Sequence, residues 1–255
     1  MTVRTANLPT MIKLSIVIPA FNEQHKITQD IYAADTFLTS ENIDGQIIVV
    51  DDGSTDKTAD TARQAAAAIQ TPCLVEQLEK NYGKGRAVRT GILKSQGQFV
   101  LFADSGNCVP YTESKIGIEL IQSGQCSIAH GSRKLMPDHI LRSQSVYRKI
   151  CSRLFHWFLI HDIKRLGNLT DTQCGFKVYD GDIARQLYAQ STMDGFAFDI
   201  EIILLALSRE LTIQEFPVDW TCDPDSRLKP AHEAVHVVSD LIRLKKKFRR
   251  LLKTS

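Results

Sequence analysis

Residues 46–58, QIIVVDDGSTDKT, decide the fold class. The first five, QIIVV, are a short apolar, β-branched run without polar alternation, which reads as a strand buried on both faces. The run stops at Asp51-Asp52-Gly53. Ser54 then stands as the expected N-cap of a helix that continues through an Ala-rich stretch to about Ile69. A buried strand feeding a helix is half of a βαβ unit, and the flanking sequence repeats it. Residues 14–18 (LSIVI) end at Pro19 and precede a helical pattern from about Glu23 to Leu38. Residues 73–78 read as a third strand, 83–94 as a helix with a glycine-rich start, and 99–103 (FVLFA) as a fourth strand ending at Asp104. Alternating strands and helices predict an α/β fold: a Rossmann-like, mostly parallel sheet with helices on both faces.

Ligands bind such sheets at the carboxyl ends of the strands. Three of the four strands stop there at polar groups: Asn22-Glu23, Asp51-Asp52 and Asp104. Equivalent ends of one sheet predict a single shared site.

The second half is less regular. Residues 126–130 read as a strand leading to Gly131-Ser132-Arg133. Residues 143–162 read as a helix whose apolar face carries Ile150, Leu154, Phe155, Trp157, Phe158 and Ile160. A strand over 176–179, an apolar helix over 199–211 and a helix over 231–253 follow. No repeat or linker interrupts the chain. The expected organisation is one domain over 1–230 and a basic amphipathic helix over 231–255.

With 255 residues, 43% hydrophobic and 24% charged, the chain has the composition of a globular protein and not of a disordered, collagen-like or coiled-coil one. A formal net charge of +2 is too balanced for a nucleic-acid partner. The six cysteines form no C-x-x-C pair, which fits small buried hydrophobes in a reducing compartment. Residues 1–13 lack the apolar core of a signal peptide, and no apolar run reaches the length of a membrane span. The expected location is cytoplasmic, or peripheral on the cytoplasmic face of a membrane. Self-association into a homo-oligomer is left open.

Individual residues carry two readings each. Asp51 and Asp52 suit a turn and cap, and equally a nucleotide base or ribose. Asp104 suits a turn before Gly106, or a Mg²⁺ or Mn²⁺ ion, because hard cations take oxygen ligands. Gly83, Gly85 and Gly91, with Lys84, Arg86 and Arg89 close by, open a helix where an anion fits, but the spacing matches neither a P-loop nor G-x-G-x-x-G. Arg133, Arg142 and Arg148 suit a solvated face or a phosphate, which Arg grips as a fork. The apolar run over 154–160 suits a core helix or a membrane-surface helix. Residues 243–253 (RLKKKFRRLLK) interleave seven basic residues with Leu and Phe, which suits a solvated helix end, a nucleic-acid arm or an anionic-lipid anchor; nothing else in the sequence points to nucleic-acid readout, which favours lipid.

Taken together, IPAFNE (18–23), VVDDGSTDKT (49–58), NYGKGRAVRTGI (81–92), FADSG, GSR (131–133), DTQCGFKVY (171–179) and GFAFDIEI (195–202) resemble the family 2 glycosyltransferases of the GT-A fold. Within them the resemblance is to the branch acting on dolichyl and other polyprenyl phosphates. It implies an inverting transfer of a hexose from a nucleotide sugar, UDP-glucose first and GDP-mannose next, to a polyprenyl phosphate at a membrane surface. It implies that Pro19, Ala20, Asn22, Glu23, Asp51, Asp52, Lys84 and Asp104 hold the nucleotide. By the same resemblance Arg133 and Arg148 hold the acceptor phosphate, Gln173 and Asp199 line the sugar and acceptor pocket, and Asp104 binds Mg²⁺ or Mn²⁺. One departure stands out: Gly106 occupies the place of the second Asp of the family's D-x-D motif, so the metal site is expected to be weakened. Two rival readings follow, a hydroxyl acceptor with Asp199 as general base, and a nucleotide-sugar-binding protein without turnover.

Overall fold

A computed structural model of the chain describes residues 12–136, 140–142, 169–221, 239–240 and 242–249. The first half is the predicted alternation. Strands β1 (Leu14–Ala20), β2 (Gly45–Asp51), β3 (Cys73–Gln77) and β4 (Phe99–Ala103) alternate with helices α1 (Ile27–Ser40), α2 (Thr58–Ala67) and α3 (Lys84–Leu93). After α4 (Ser114–Gln122) come β5 (Ile128–Ser132), β6 (Ile140–Arg142), β7 (Phe176–Asp180), α5 (Gly181–Gln190), α6 (Phe198–Ser208), β8 (Ile213–Pro217) and β9 (Trp220–Thr221).

Seven strands form one sheet in the order β3-β2-β1-β4-β7-β5-β8. Its parallel pairs are β1–β2, β1–β4, β2–β3 and β5–β8, while β7 runs antiparallel to both neighbours. The short strands β6 and β9 pair separately. Apolar faces on both sides of the sheet explain the continuous hydrophobic strands. Val17, Ile48, Val50, Val100 and Phe102 join one core with α3, α5 and α6; Ile16, Ile18, Ile47, Val49 and Leu101 join the other with α1 and α2. Each such side chain contributes about 1.5–3 kcal/mol on burial. Pro19 lies past the last β1–β4 pair, Val17 with Phe102, so its missing N–H costs no ladder bond to β4.

Several boundaries differ from expectation. Ser54 does not cap α2, which begins four residues later at Thr58; its hydroxyl bonds the Asp51 carboxylate, and Asp56 accepts from the Thr58 N–H instead. Helix α1 starts at Ile27, because Glu23 sits in a preceding turn whose carbonyl accepts from Lys26 and Ile27. Strand β5 begins at Ile128 and not Cys126, and Arg142 falls on β6. The expected helix over 143–162, with Arg148 and the aromatic run, lies outside the described residues. Of the C-terminal helix, the described part is helical and packs inward: Leu244 and Phe248 join the core with α6.

Candidate active site

Strands β1, β2 and β4 are parallel neighbours, so their carboxyl ends, and with them Glu23, Asp51 and Asp104, lie along one edge of the sheet. The loops after β1 and β2 are stitched together. Asn22, at φ 56°, donates from its backbone to Ser54 Oγ at 2.8 Å and accepts from the Thr55 N–H at 2.9 Å. Glu23 N–H donates to Thr58 Oγ1 at 2.8 Å, and Asp52 N–H to the Ala20 carbonyl at 2.8 Å. Asn tolerates this left-handed backbone better than other side-chain-bearing residues do.

Both aspartates of the DDG turn are buried and have backbone work. Asp51 accepts from the Ser54 N–H and hydroxyl. Asp52 accepts from the N–H groups of Tyr82 and Gly83 at 2.9 and 2.8 Å, which ties the tip of β2 to the start of α3. Burial holds both carboxyls above the usual carboxylate range, opposed by those hydrogen bonds. The turn-forming role is thus visible in the geometry.

Lys84, the first residue of α3, brings its Nζ to 2.7 Å from Asp104 and 5.4 Å from the Phe102 ring centre. Burial works to lower the Lys84 pKa, but Asp104 and then Asp199 outweigh it and raise it. Asp104 is held by its N–H on the Gly175 carbonyl at 2.8 Å, and it borders a small recess lined by Asn107, Tyr111, Cys174 and Trp220. Gly106, the expected second carboxylate position, has φ 93° and donates its N–H to the buried Asp30 carboxylate at 3.0 Å. That backbone conformation suits glycine and disfavours Asp. Among the described residues no group of three or more His, Cys, Asp or Glu gathers around a metal position.

Two further ion pairs complete the floor. Lys177 on β7 pairs with Asp199 on α6, both buried, and Lys177 Nζ lies 5.8 Å from the Phe102 ring centre. Burial raises the Asp199 pKa; Lys177 and Lys84 oppose it. Arg133, just past β5, forks onto Asp171 through Nε at 2.6 Å and Nη2 at 2.8 Å and stacks 5.4 Å above Trp220. Burial alone would raise Asp171, yet the Arg133 fork holds it down at about 2. Gln173 Nε2 is buried without a hydrogen-bond partner among the described residues, a donor left for something else to satisfy.

Sequence reasoning therefore reached Glu23, Asp51, Asp52, Lys84, Asp104, Arg133, Gln173 and Asp199, and the structure gathers Glu23, Asp51, Asp52, Lys84 and Asp104 along one edge. It missed the partners that hold them, Lys177 and Asp171. The signal for Lys177 was available: a lysine inside the apolar strand FKVYD has to find an anion.

The family model for glycosyl transferase family 2 matches residues 15–188. A dolichyl-phosphate beta-glucosyltransferase of Dictyostelium discoideum is 31% identical over 94% of this chain and 76% of its own length. The enzyme of the same name from Homo sapiens is 29% identical over 90% of this chain and 74% of its own. Among solved structures, glucosyl-3-phosphoglycerate synthase from Mycobacterium tuberculosis with Mn²⁺, UDP-glucose and phosphoglyceric acid superposes with a TM-score of 0.67 at 20% identity, covering 91% of this chain and 78% of that one. That likeness carries the GT-A fold.

Proposed function

The chain belongs to glycosyl transferase family 2 and is a glycosyltransferase, and from that premise we propose that it moves glucose from UDP-glucose to a polyprenyl phosphate of the dolichyl type, with inversion. The observation that carries this reading is the state of Asp199. Its carboxylate is buried and engaged by Lys177, a poor arrangement for a general base and a good one for a fixed wall of the acceptor pocket. A hydroxyl acceptor has to lose a proton. A phosphate monoester is already anionic near neutral pH, with a second pKa of about 6, and needs no base. The names of the relatives above point to the same acceptor class.

The protein's work is then alignment and charge stabilisation. Lys84 offsets charge on the leaving diphosphate. Arg133, held flat between Asp171 and Trp220, keeps Nη1 for the acceptor phosphate, with Arg148 as its expected companion. Pro19, Ala20, Asn22, Glu23, Asp51 and Asp52 form the nucleotide edge, and Gln173 Nε2 supplies a buried donor to sugar or acceptor.

A divalent cation fits this edge in a reduced form. Asp104, about a third exposed, is the carboxylate placed for it, and Mg²⁺ or Mn²⁺ would take its other ligands from diphosphate oxygens and water. When bound it would offset charge on the leaving group, a role that overlaps that of Lys84. With Gly106 in place of a second carboxylate, the affinity without nucleotide is expected to be weak.

No helix among the described residues is long and apolar enough to cross a membrane. We assign membrane contact to the outward face of the C-terminal helix, where Ile242, Arg243, Lys246 and Arg249 are exposed. The deciding experiment is incubation with UDP-glucose, GDP-mannose, Mg²⁺ or Mn²⁺ and a short polyprenyl phosphate. Glucosyl lipid from UDP-glucose alone is expected; no lipid product under any metal overturns the reading. Flotation with anionic liposomes at low salt tests the surface contact.

A further inference from the structure

A second buried carboxylate, two residues along α6 from Asp199, organises the chain behind the site. Glu201 on α6 is fully buried. Its oxygens accept from Ser191 Oγ at 2.7 Å, from the Thr192 and Met193 N–H groups at 2.8 Å each, and from Thr192 Oγ1 at 2.8 Å. The remaining partner comes from the C-terminal helix: Lys247 Nζ lies 2.7 Å away, on the face that also buries Leu244 and Phe248. Burial alone would raise the Glu201 pKa; Lys247 and these donors bring it below the usual range, so the carboxylate is held charged.

The segment that Glu201 gathers, residues 191–195, is the wall against which α3 starts. The Arg86 N–H donates to the Asp194 carbonyl at 3.1 Å. Arg89 reaches the Asp194 carboxylate at 2.5 Å and the Ser191 carbonyl at 3.1 Å. Contact is so close that a Cβ on Gly85 would stand 2.5 Å from the Met193 carbonyl oxygen, and one on Gly83 2.6 Å from that of Asp194. On its other side the same turn is held by Asp52. The first turn of α3, which carries Lys84, is thus clamped between the β2 tip and a loop that hydrogen-bonds Glu201, itself paired with Lys247.

We propose that Glu201 and Lys247 are positioning residues: the C-terminal helix latches the 191–195 loop and thereby fixes Lys84 and the Gly83–Gly85 turn for the donor diphosphate. This rests on the reading that the donor diphosphate meets Lys84. The helix is then a working part of the donor site, and its removal or displacement is felt there before it is felt at the acceptor.

The test uses the full chain with Lys247→Met, Lys247→Arg and the milder Thr192→Val, each with kinetics, a melting curve and amide hydrogen exchange without ligand. Lys247→Met is expected to speed exchange at 83–87 and to raise the UDP-glucose KM about tenfold, with the acceptor KM unmoved. Lys247→Arg, which keeps the charge, restores both, and Thr192→Val gives a smaller shift of the same kind. Unchanged exchange at 83–87 in Lys247→Met overturns the latch, as does a loss of activity that merely follows the folded fraction. If the wild type transfers no glucose from UDP-glucose, the functional reading fails, while the exchange data still decide the latch.

Discussion

Lys177 and Asp199 meet as a buried ion pair beside the Phe102 ring, one from the antiparallel strand β7 and the other from the first turn of α6. The strand that carries Lys177 is inserted between β4 and β5 in the sheet, and the pair ties it to α6. Two charges taken out of water this completely depend on one another. Removing one partner leaves the other stranded, at a cost of about 3–5 kcal/mol.

Asp199→Asn is therefore expected to lower stability by about that amount in urea denaturation, while activity per folded molecule with a polyprenyl phosphate falls by less than about tenfold. Replacing both residues, Lys177→Met with Asp199→Asn, should recover part of the stability. A loss near 10³-fold per folded molecule, the size of a missing general base, would instead favour the hydroxyl-acceptor reading.

Stability should also fall as pH rises from about 4 to about 7. Asp30 on α1 is fully buried, and its pKa is raised from 3.8 to about 7. Burial is the main cause and Glu23 adds to it; the Gly106 and Asn107 N–H groups and Lys26 oppose it. The buried Tyr111 hydroxyl is the other titratable group in its field. A carboxyl raised in the folded state keeps its proton after the unfolded chain has lost it, so this stabilisation is complete below the unfolded value and gone above about 7. The span corresponds to a change on the order of 4 kcal/mol. Asp30→Asn should flatten the slope between about pH 4 and 7 in chemical denaturation; an unchanged slope would remove Asp30 as its source. Asp51 and Asp52 shift the same way, so a residual slope is expected. Asp171, held at about 2, acts with the opposite sign and only in acid, as pH falls below about 4.

The sheet was legible because its strands are buried on both faces, and short apolar runs such as IIVV and FVLFA, bounded by turn residues, read as strands. The carboxyl-end residues were legible by the same logic, as polar groups placed where buried strands stop. What escaped was pairing across the chain. Nothing local in DTQCGFKVY says that Asp171 belongs to Arg133 and Lys177 to Asp199, 38 and 22 positions away. The same limit hid where the C-terminal helix docks. Its basic residues suggested a lipid anchor, whereas Leu244, Lys247 and Phe248 share a face that packs on α6.

Restoring the missing carboxylate should not restore a strong metal site. Gly106→Asp puts a side chain on a backbone with φ 93°, a strain of about 1–3 kcal/mol. It also adds a negative charge beside Asp30, whose oxygens already accept from the Gly106 N–H. The expected result is a lower melting temperature and no tighter Mn²⁺ binding, read by calorimetry with and without UDP. Tighter binding with stability intact would mean that the loop has a second conformation suited to the metal.

The placement of Asp104 can be tested without touching Asp104 itself. Gly175 faces it so closely that an added Cβ would overlap the carboxylate, while the Gly175 carbonyl accepts the Asp104 N–H at 2.8 Å. Gly175→Ala must therefore swing the carboxylate away and deprive Lys84 of its partner. We expect transfer to fall about 100-fold, the scale of a misplaced catalytic group, with a stability loss of about 1–3 kcal/mol from overpacking. The double variant Asp104→Ala with Gly175→Ala removes the clash, so it should recover stability but not activity. That split separates the two roles of the position. If the double variant regained both, the carboxylate would be dispensable to the reaction and the conflict merely steric. If Gly175→Ala kept its full rate, the sugar-nucleotide site would have to lie on a part of the edge that Asp104 does not reach.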